Sequence, residues 1–264
     1  MDTDKVIEIQ SDISPFRTHA PRVLILGGTS EALEIATHLA TRSDMTVISS
    51  LAGRVSQPRL PAGIARVGGF GGVAGLISYL VHENIAVVID ATHPFASKIS
   101  CNAELACNTL RLPLIALERP PWESNEEDSW CTAPDAHAAA SMVDYQRYRV
   151  FLSIGRQELG AFSHCEDAWF LVRAIDAPSE ALPAKSKLIL NRGPFHLDDE
   201  LQMLCSESIS HIVSKNSGGS ATYAKIEAAR VLRIPVVMID RPRKHAVPTV
   251  SQPAEVIQKL AQLL

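Results

Sequence analysis

The sequence predicts two Rossmann-like three-layer α/β domains with parallel sheets. Short apolar runs of strand length alternate with amphipathic helical stretches along most of the chain. A segment with consecutive prolines, followed by acidic residues, interrupts this alternation near the middle. A length of 264 residues, 46% of them hydrophobic and 20% charged, is sufficient to bury two small cores.

The first half begins with a βαβ unit. Arg22–Leu26 is an apolar run that ends in glycines, Glu31–Arg42 carries apolar residues at helical spacing, and Thr46–Ser49 returns to strand character. Two strands joined through a helix run parallel. The alternation continues with strands at 64–67, 86–90 and 114–117 and with helices at 73–83 and 96–110.

The predicted domain boundary follows the segment Glu118–Trp122. Its consecutive prolines fit neither a helix interior nor a central strand, and the stretch 123–128 is acidic. We therefore expect an N-terminal domain over 21–122 and a C-terminal α/β domain over 123–264, after a loosely ordered polar leader over 1–20. Predicted strands of the second half, most of them followed by helices, lie at 150–154, 169–173, 187–190, 211–214 and 236–239.

Composition and charge exclude several function classes. A formal charge of -4 argues against binding to nucleic acid or to an acidic membrane surface. No stretch of about 18 apolar residues predicts a membrane span. Five cysteines without a CxxC pair indicate free thiols in a reducing cytoplasm, and the nine histidines show no metal-binding spacing. We expect a cytoplasmic protein without a metal site that is a monomer or a weak dimer.

The turn after the first strand is the first candidate ligand site. In the dinucleotide-binding pattern GxGxxG, Gly27 fills the first place, Thr29 replaces the second glycine, and Ala32 fills the third, where alanine is allowed. A turn between a strand and a helix favours a phosphate, because backbone N–H groups and the helix dipole point at it. The alternative is a tight turn without a ligand. The predicted cofactor residues here are Gly27, Gly28, Thr29, Ser30 and Glu31.

The end of the second strand favours NADPH over NADH. An NAD-specific site usually places a carboxylate there, whereas this chain has Ser49, Ser50 and, slightly later, Arg54. Hydroxyl groups and a guanidinium suit a 2′-phosphate. Arg54 is alternatively a solvated loop residue. Gly69, within the glycine-rich run 68–72, is a further cofactor contact, or part of a flexible loop.

The end of the fourth predicted strand carries the candidate catalytic group. Thr92, His93 and Pro94 follow this strand at the carboxyl edge of the sheet, where ligands of open α/β folds bind. His93 is the candidate proton donor, because the pKa of histidine is normally near neutrality. The alternative is a turn that only begins the next helix.

Basic and polar residues follow four strands of the second half. If that sheet is parallel, they converge on one edge and suit an anionic ligand, since arginine pairs with carboxylates in a bidentate manner. Each arginine alone is also compatible with a solvated surface position. The predicted substrate residues are Arg156, Arg192, Gly193, Lys215, Asn216, Ser217, Gly218 and Arg241.

Other catalytic classes lack their motifs. No tyrosine has a lysine four residues later, as short-chain dehydrogenases require, and neither a P-loop nor a GxSxG nucleophile turn occurs. A hydride cofactor is therefore the economical source of reactivity.

Eight motifs together resemble the precorrin-6A reductase family of cobalamin biosynthesis, from about Arg22 to Arg243. DATHPFA at 90–96 and SKNSGG at 214–219 are the specific ones. The others are GGTSEA at 27–32, GRV at 53–55, RVGGFGG at 66–72, ERPPW at 118–122, SIGRQEL at 153–159 and NRGPF at 191–195.

This resemblance implies a two-domain enzyme that transfers hydride from NADPH to precorrin-6A, with its ligands in a cleft between the domains. Gly28, Thr29, Ser30 and Arg54 would then bind the cofactor, with Thr92, His93 and Pro94 near its reactive end. The residues implied to face the cleft are Arg156, Arg192, Lys215 and Asn216. Two alternatives stay open: the cobalt-containing form of the substrate, and a nucleotide-sensing protein without turnover.

Overall fold

The computed structural model describes residues 20–53, 55, 58–242, 247 and 249–264. These residues form two compact units. The first contains the described residues up to Arg119 together with those from Pro242 to the end, and the second spans Pro120–Arg241. The predicted leader, apart from its last residue, lies outside the described residues, as does Arg54.

Strands and helices alternate through both units. The strands of the described chain are β1 (Arg22–Leu26), β2 (Thr46–Leu51), β3 (Ile64–Val67), β4 (Ile85–Asp90), β5 (Leu114–Leu117), β6 (Trp130–Ala133), β7 (Arg149–Ser153), β8 (Trp169–Ala174), β9 (Ser186–Leu190), β10 (His211–Lys215), β11 (Val236–Ile239) and β12 (Thr249–Val250). The helices are α1 (Ser30–Leu39), α2 (Gly72–His82), α3 (Ser97–Leu110), α4 (Ala136–Val143), α5 (Leu197–Ser206), α6 (Ala224–Leu232) and α7 (Pro253–Leu263), with a 3-10 helix over Arg156–Phe162.

The first unit is a parallel sheet covered on both faces. Its six strands have the order β12-β5-β4-β1-β2-β3, and every neighbouring pair is parallel. Val23 and Ile25 of β1 face a core that includes α1 and α7, whereas Leu24 and Leu26 face a core that includes α2 and α3. Burial on both faces explains why this strand is a continuous apolar run.

The second unit repeats the architecture. Its six strands have the order β6-β11-β10-β7-β8-β9, again parallel throughout. Phe151, Leu171 and Ile212 contribute to a core shared with α5 and α6, and α4 packs beside the 3-10 helix. The predicted fold class, two three-layer α/β domains with parallel sheets, is confirmed.

The carboxyl-terminal segment corrects the predicted domain composition. The sequence assigned the whole of 123–264 to the second domain, but β12 pairs with β5, and α7 packs against α1. Val256 and Leu260 on α7 are fully buried in the core of the first unit. An apolar helical stripe shows that a helix needs a partner without showing which of two similar sheets provides it. The strands β6 and β12 were also missed, because both are short and lie at sheet edges.

Candidate active site

The turns after β1 and β4 lie side by side at the carboxyl edge of the first sheet. β1 pairs with β2 on one side and with β4 on the other, so the strand order reverses direction at this point. Open parallel α/β sheets bind ligands at such a switch point, where the loops of neighbouring strands diverge. The turns predicted to bind a nucleotide therefore occupy the expected place in the fold.

Thr29 joins the two turns. It is the N-cap of α1, where its hydroxyl accepts the Ala32 N–H at 3.1 Å and donates to the Ala91 carbonyl at 2.8 Å. Gly28 has a φ of +110°, and a Cβ there would face open space, whereas a Cβ on Gly27 would lie 3.3 Å from that of Ala32. The first and third places of the glycine pattern thus permit close packing of helix and strand, and Gly28 leaves room above the helix N-terminus.

Glu31 and Arg119 form an ion pair beside this N-terminus. Nη1 of Arg119 donates to Oε2 of Glu31 at 2.7 Å, and Ser30 donates to the same oxygen at 3.1 Å. Burial alone would raise the pKa of Glu31, but the charge of Arg119 and these hydrogen bonds hold it below its usual value. Both side chains line a pocket with Thr29, Thr92 and Pro94. Sequence reasoning missed Arg119 because it was assigned to the domain boundary.

The turn after β4 is held by buried hydrogen bonds. The hydroxyl and the N–H of Thr92 both donate to Oδ1 of Asp90, at 2.6 and 3.0 Å, and the same hydroxyl lies 3.1 Å from Oγ of Ser100. Thr92 is only 8% exposed. Its side chain is therefore occupied within the protein, and what it positions is the backbone of Thr92, His93 and Pro94.

His93 carries its proton on one defined nitrogen when neutral. Its Nδ1 accepts the backbone N–H of Phe95 at 3.2 Å, so the proton of the neutral ring lies on Nε2. The ring is partly exposed at the carboxyl edge, and its centroid lies 5.7 Å from that of Phe95. This geometry is compatible with proton donation through Nε2.

The end of β2 is organised by Arg66, which sequence reasoning did not single out. Its guanidinium donates to Oγ of Ser50 at 2.8 Å and to the carbonyls of Gly68 and Gly69 at 3.2 and 3.1 Å. It also lies 3.9 Å from the ring centroid of Phe70. Arg66 thus connects the two predicted cofactor residues Ser50 and Gly69 in one network. The sequence feature that could have identified Arg66 is its position in a strand, shortly before a glycine-rich turn.

The second unit brings its predicted basic residues to one sheet edge. Because all neighbouring strands are parallel, the segments after β7, β9, β10 and β11 lie at the same carboxyl edge, as expected. Arg156 begins the 3-10 helix after β7, and Arg192 follows β9. The structure gives neither side chain a hydrogen bond or an ion pair with another described residue.

Other predicted substrate residues are engaged in building this edge. Lys215 pairs with Glu158 at 2.7 Å, and Nε of Arg241 donates to the carbonyl of Asn216 at 2.8 Å. Asn216 exchanges two hydrogen bonds with the backbone of Trp122, at 2.7 and 2.9 Å. These three predicted residues therefore have structural roles in the second unit, whatever else they contact.

Two predicted glycines lie where the backbone is closely packed. Gly218 has a φ of +65°, and a Cβ there would lie 2.1 Å from the carbonyl oxygen of Pro120. A Cβ on Gly193 would lie 3.2 Å from the carbonyl oxygen of Ala221. Ser217, between Asn216 and Gly218, is partly buried at the same edge.

Two features are absent from the residues that the structure describes. No group of three or more His, Cys, Asp or Glu side chains is arranged to hold a metal ion. None of the helices is both long and apolar enough to cross a membrane.

Comparison with known proteins identifies the family. Residues 22–261 match the family model described as precorrin-6x reductase CbiJ/CobK. A precorrin-6A reductase of Rhodococcus erythropolis is 47% identical, with 84% of this chain and 89% of the relative covered. One from Sinorhizobium sp is 45% identical, with 92% and 94% covered. A cobalt-precorrin-6A reductase of Priestia megaterium is 24% identical, with 84% and 91% covered.

A solved structure has the same fold. The structure described as CobK precorrin-6A reductase superposes with a TM-score of 0.87 at 41% identity, covering 92% of this chain and 97% of that one. Together with the family model, which matches most of the chain, this similarity settles the assignment. The chain belongs to the precorrin-6x reductase family.

Proposed function

We propose that this chain transfers hydride from NADPH to precorrin-6A, giving precorrin-6B (dihydro), in cobalamin biosynthesis. The observation that carries the proposal is the 44–47% identity to proteins named precorrin-6A reductase, over at least 84% of the chain. The cobalt-precorrin-6A reductases are only 24–28% identical. The difference favours the metal-free macrocycle over its cobalt form.

The first unit is the proposed NADPH-binding unit. The N-terminus of α1, the open space at Gly28 and the positive φ of that glycine fit a pyrophosphate that approaches the backbone. Glu31 lies at this N-terminus, and its pairing with Arg119 offsets a charge that would otherwise repel phosphate. At the end of β2, Ser50 and the residues organised by Arg66 fit the adenosine ribose, with Arg54 as the proposed partner of the 2′-phosphate.

The second unit is the proposed macrocycle-binding unit. Precorrin-6A carries many acetate and propionate carboxylates, so it requires positive charges spread over a broad surface. Arg156 and Arg192 are the proposed carboxylate ligands, and Ser217 and Gly218, at the same sheet edge, are further proposed contacts. Lys215 is already paired with Glu158, so its contribution to the local charge is smaller.

The chemistry requires a hydride and one proton. NADPH, when bound, supplies the hydride. The turn after β4, held by Asp90 and Ser100 through Thr92, positions His93. Nε2 of His93 is the proposed proton donor. If His93→Ala reduced precorrin-6A at the native rate at every pH, water would be the proton donor instead. Free thiols at all five cysteines agree with a cytoplasmic reaction, and we propose a monomer or a weak dimer.

Oxidation of NADPH in the presence of anaerobically prepared precorrin-6A tests the proposal. We expect turnover, followed at the nicotinamide absorbance band, with a much higher KM for NADH because no carboxylate at the end of β2 selects it. Cobalt-precorrin-6A is run in parallel and is expected to be the poorer substrate. Binding of NADPH without oxidation in the presence of either macrocycle would overturn the proposal and favour a nucleotide sensor.

A further inference from the structure

Three charged side chains are buried together in the second unit. Arg173 on β8 is 5% exposed, Glu200 on α5 is 2% exposed, and Lys225 on α6 is 3% exposed. Both carboxylate oxygens of Glu200 accept hydrogen bonds from Arg173. These residues form the buried charge cluster.

Lys225 carries a charge that the cluster does not balance. Glu200 is already matched by Arg173, and Nζ of Lys225 donates to the carbonyl of Thr222 at 2.8 Å and lies 5.0 Å from the ring centroid of Trp122. Burial, followed by the charge of Arg173, lowers the pKa of Lys225 to about 7. Lys225 is also the second residue of α6, where the helix dipole disfavours a cation. A lysine here costs stability.

The cluster supports two loops at the carboxyl edge, residues 191–196 after β9 and residues 216–223 after β10. The guanidinium of Arg173 lies 3.7 Å from the ring centroid of Phe195, in the first loop. Lys225 binds Thr222 in the second loop, and Nε1 of Trp122, whose ring faces Lys225, donates to the Gly219 carbonyl at 2.8 Å.

The two loops are also bonded to each other. The N–H of Phe195 donates to the carbonyl of Ala221 at 3.3 Å, and Gly193 packs against that same oxygen. Because Ala221 directly precedes Thr222, this bond joins the segment that Lys225 binds to the loop that carries Arg192. Lys225 and Arg173 are buried and contact the joined loops from the core, whereas Arg192 and Ser217 are partly exposed residues of the loops themselves.

We propose that Lys225 is a positioning residue of the macrocycle-binding site, whose ammonium and the adjoining Arg173–Glu200 pair hold both loops so that Arg192 and Ser217 meet substrate carboxylates. This inference rests on the proposed function. It explains why a residue that costs stability is buried here, since polar groups that weaken a core are expected where function requires them.

Binding of the macrocycle is thereby coupled to protonation of Lys225. The groups that face the ammonium are Arg173, Glu200, the ring of Trp122 and the Thr222 carbonyl. A bound polyanion favours the protonated amine, so binding of the macrocycle takes up a proton, and its KM rises between pH 6 and pH 8. The corresponding dependence for NADPH is absent, because the cluster lies in the second unit.

Lys225→Met tests the inference, with Lys187→Met as the matched control. Methionine keeps the length and the apolar part of the side chain, and removing a buried unbalanced cation leaves the melting temperature equal or higher. We expect a KM for precorrin-6A raised about tenfold without the rise between pH 6 and pH 8, and an unchanged KM for NADPH. Lys187, which is 55% exposed and pairs with Glu207, should affect neither KM.

Hydrogen exchange separates this inference from the proposed function. In Lys225→Met, amides of 191–196 and 216–223 should exchange faster than in the native chain, whether or not precorrin-6A is turned over. The inference would be overturned if the amides of both loops in Lys225→Met exchanged at the native rate. It would also be overturned if an active Lys225→Met enzyme had an unchanged KM for precorrin-6A. A lower melting temperature with equal losses for both substrates would also overturn it, because it would indicate only a structural role. Absence of turnover by the native chain would instead refute the proposed function.

Discussion

The carboxyl edges of the two sheets are built by different interactions, although the sheets share one architecture. In the first unit, hydroxyl groups connect the turns after β1 and β4, through Thr29 and through Thr92 with Asp90. Its cations lie beside these turns, with Arg66 bonded to the glycine-rich turn after β3 and Arg119 paired with Glu31. In the second unit, charged side chains and an aromatic ring connect the loops themselves, as with Lys215 and Glu158 or with Arg173 and the ring of Phe195. The same parallel sheet thus supports either kind of edge.

This difference fits the two anionic ligands proposed for the two units. A pyrophosphate is compact and is bound well by the N–H groups at one helix N-terminus, which need only an open glycine beside them. A macrocycle with many carboxylates is broad and requires full charges at several positions. The comparison predicts that damage to each edge impairs one substrate and spares the other.

Gly218→Ala should have the largest effect, because the new Cβ would lie 2.1 Å from the Pro120 carbonyl and 2.5 Å from Nη2 of Arg241. We expect the free energy of unfolding to fall by about 2–3 kcal/mol and precorrin-6A binding to be lost. Gly28→Ala is the control, since its φ is also positive but its Cβ faces open space. Gly28→Ala should lower the free energy of unfolding by about 1 kcal/mol and should raise the KM for NADPH without changing that for precorrin-6A. If Gly218→Ala and Gly28→Ala lost the same stability in thermal denaturation, close packing at Gly218 would not explain the effect.

Thr29→Val removes the N-cap of α1 and the bond to the Ala91 carbonyl. We expect a loss of about 1–2 kcal/mol in the free energy of unfolding and a higher KM for NADPH, with the KM for precorrin-6A unchanged. Thr37→Val is the matched control on the same helix, because its exposed hydroxyl only donates to the carbonyl of Leu33. The interpretation fails if both variants behave alike in denaturation and in NADPH titration.

Arg192→Gln should impair only the macrocycle. Removing one proposed carboxylate ligand is expected to raise the KM for precorrin-6A about tenfold and to reduce the dependence of this KM on salt concentration. The KM for NADPH should not change. Arg42→Gln, at a partly exposed arginine that pairs with Asp44, is the control and should change neither KM. An unchanged KM for precorrin-6A in Arg192→Gln would remove this residue from the proposed site.

Glu31→Gln should have the smallest effect, and one that depends on pH. The pKa of Glu31 is lowered in the folded protein, so its ionised form stabilises the fold above its unfolded pKa near 4.5, and this contribution is lost as pH falls through the lowered value. We expect the variant to be about 1 kcal/mol less stable than the native chain at pH 7, and this difference to be smaller at pH 3. A stability difference that is the same at both pH values would show that the charge of Glu31 is not responsible.

The sequence predicted the regular part of the fold well because local pattern determines it. Continuous apolar runs bounded by glycine or polar residues identified β1, β4, β10 and β11, and the helical spacing of apolar residues identified α1 to α3. The strands β6 and β12 were missed, since short edge strands carry little pattern. The destination of α7 was wrong, because its apolar stripe fits either of two similar sheets.

The candidate site could be predicted only in part, for a related reason. Residues within glycine-rich turns at strand ends, such as Thr29 and Gly218, are visible in the sequence. Arg66, Arg119 and Lys225 were not, because each acts through a partner at a distance along the chain: Ser50, Glu31 and the Arg173–Glu200 pair. Pairings of this kind depend on which side chains the sheet and its helices bring together.

The sequence by itself determined that this protein is a parallel α/β protein with two sheets, which strand ends carry the candidate ligand-binding groups, and which family its motifs resemble. These properties follow from periodicity and from short contiguous motifs. The tertiary structure alone decided that the last helix belongs to the first sheet, that Lys215 and Arg241 are engaged within the protein, and that Lys225 is buried beside an ion pair. The physical reason is that burial and charge pairing arise between residues far apart in sequence, and their energies depend on distances that no local pattern contains.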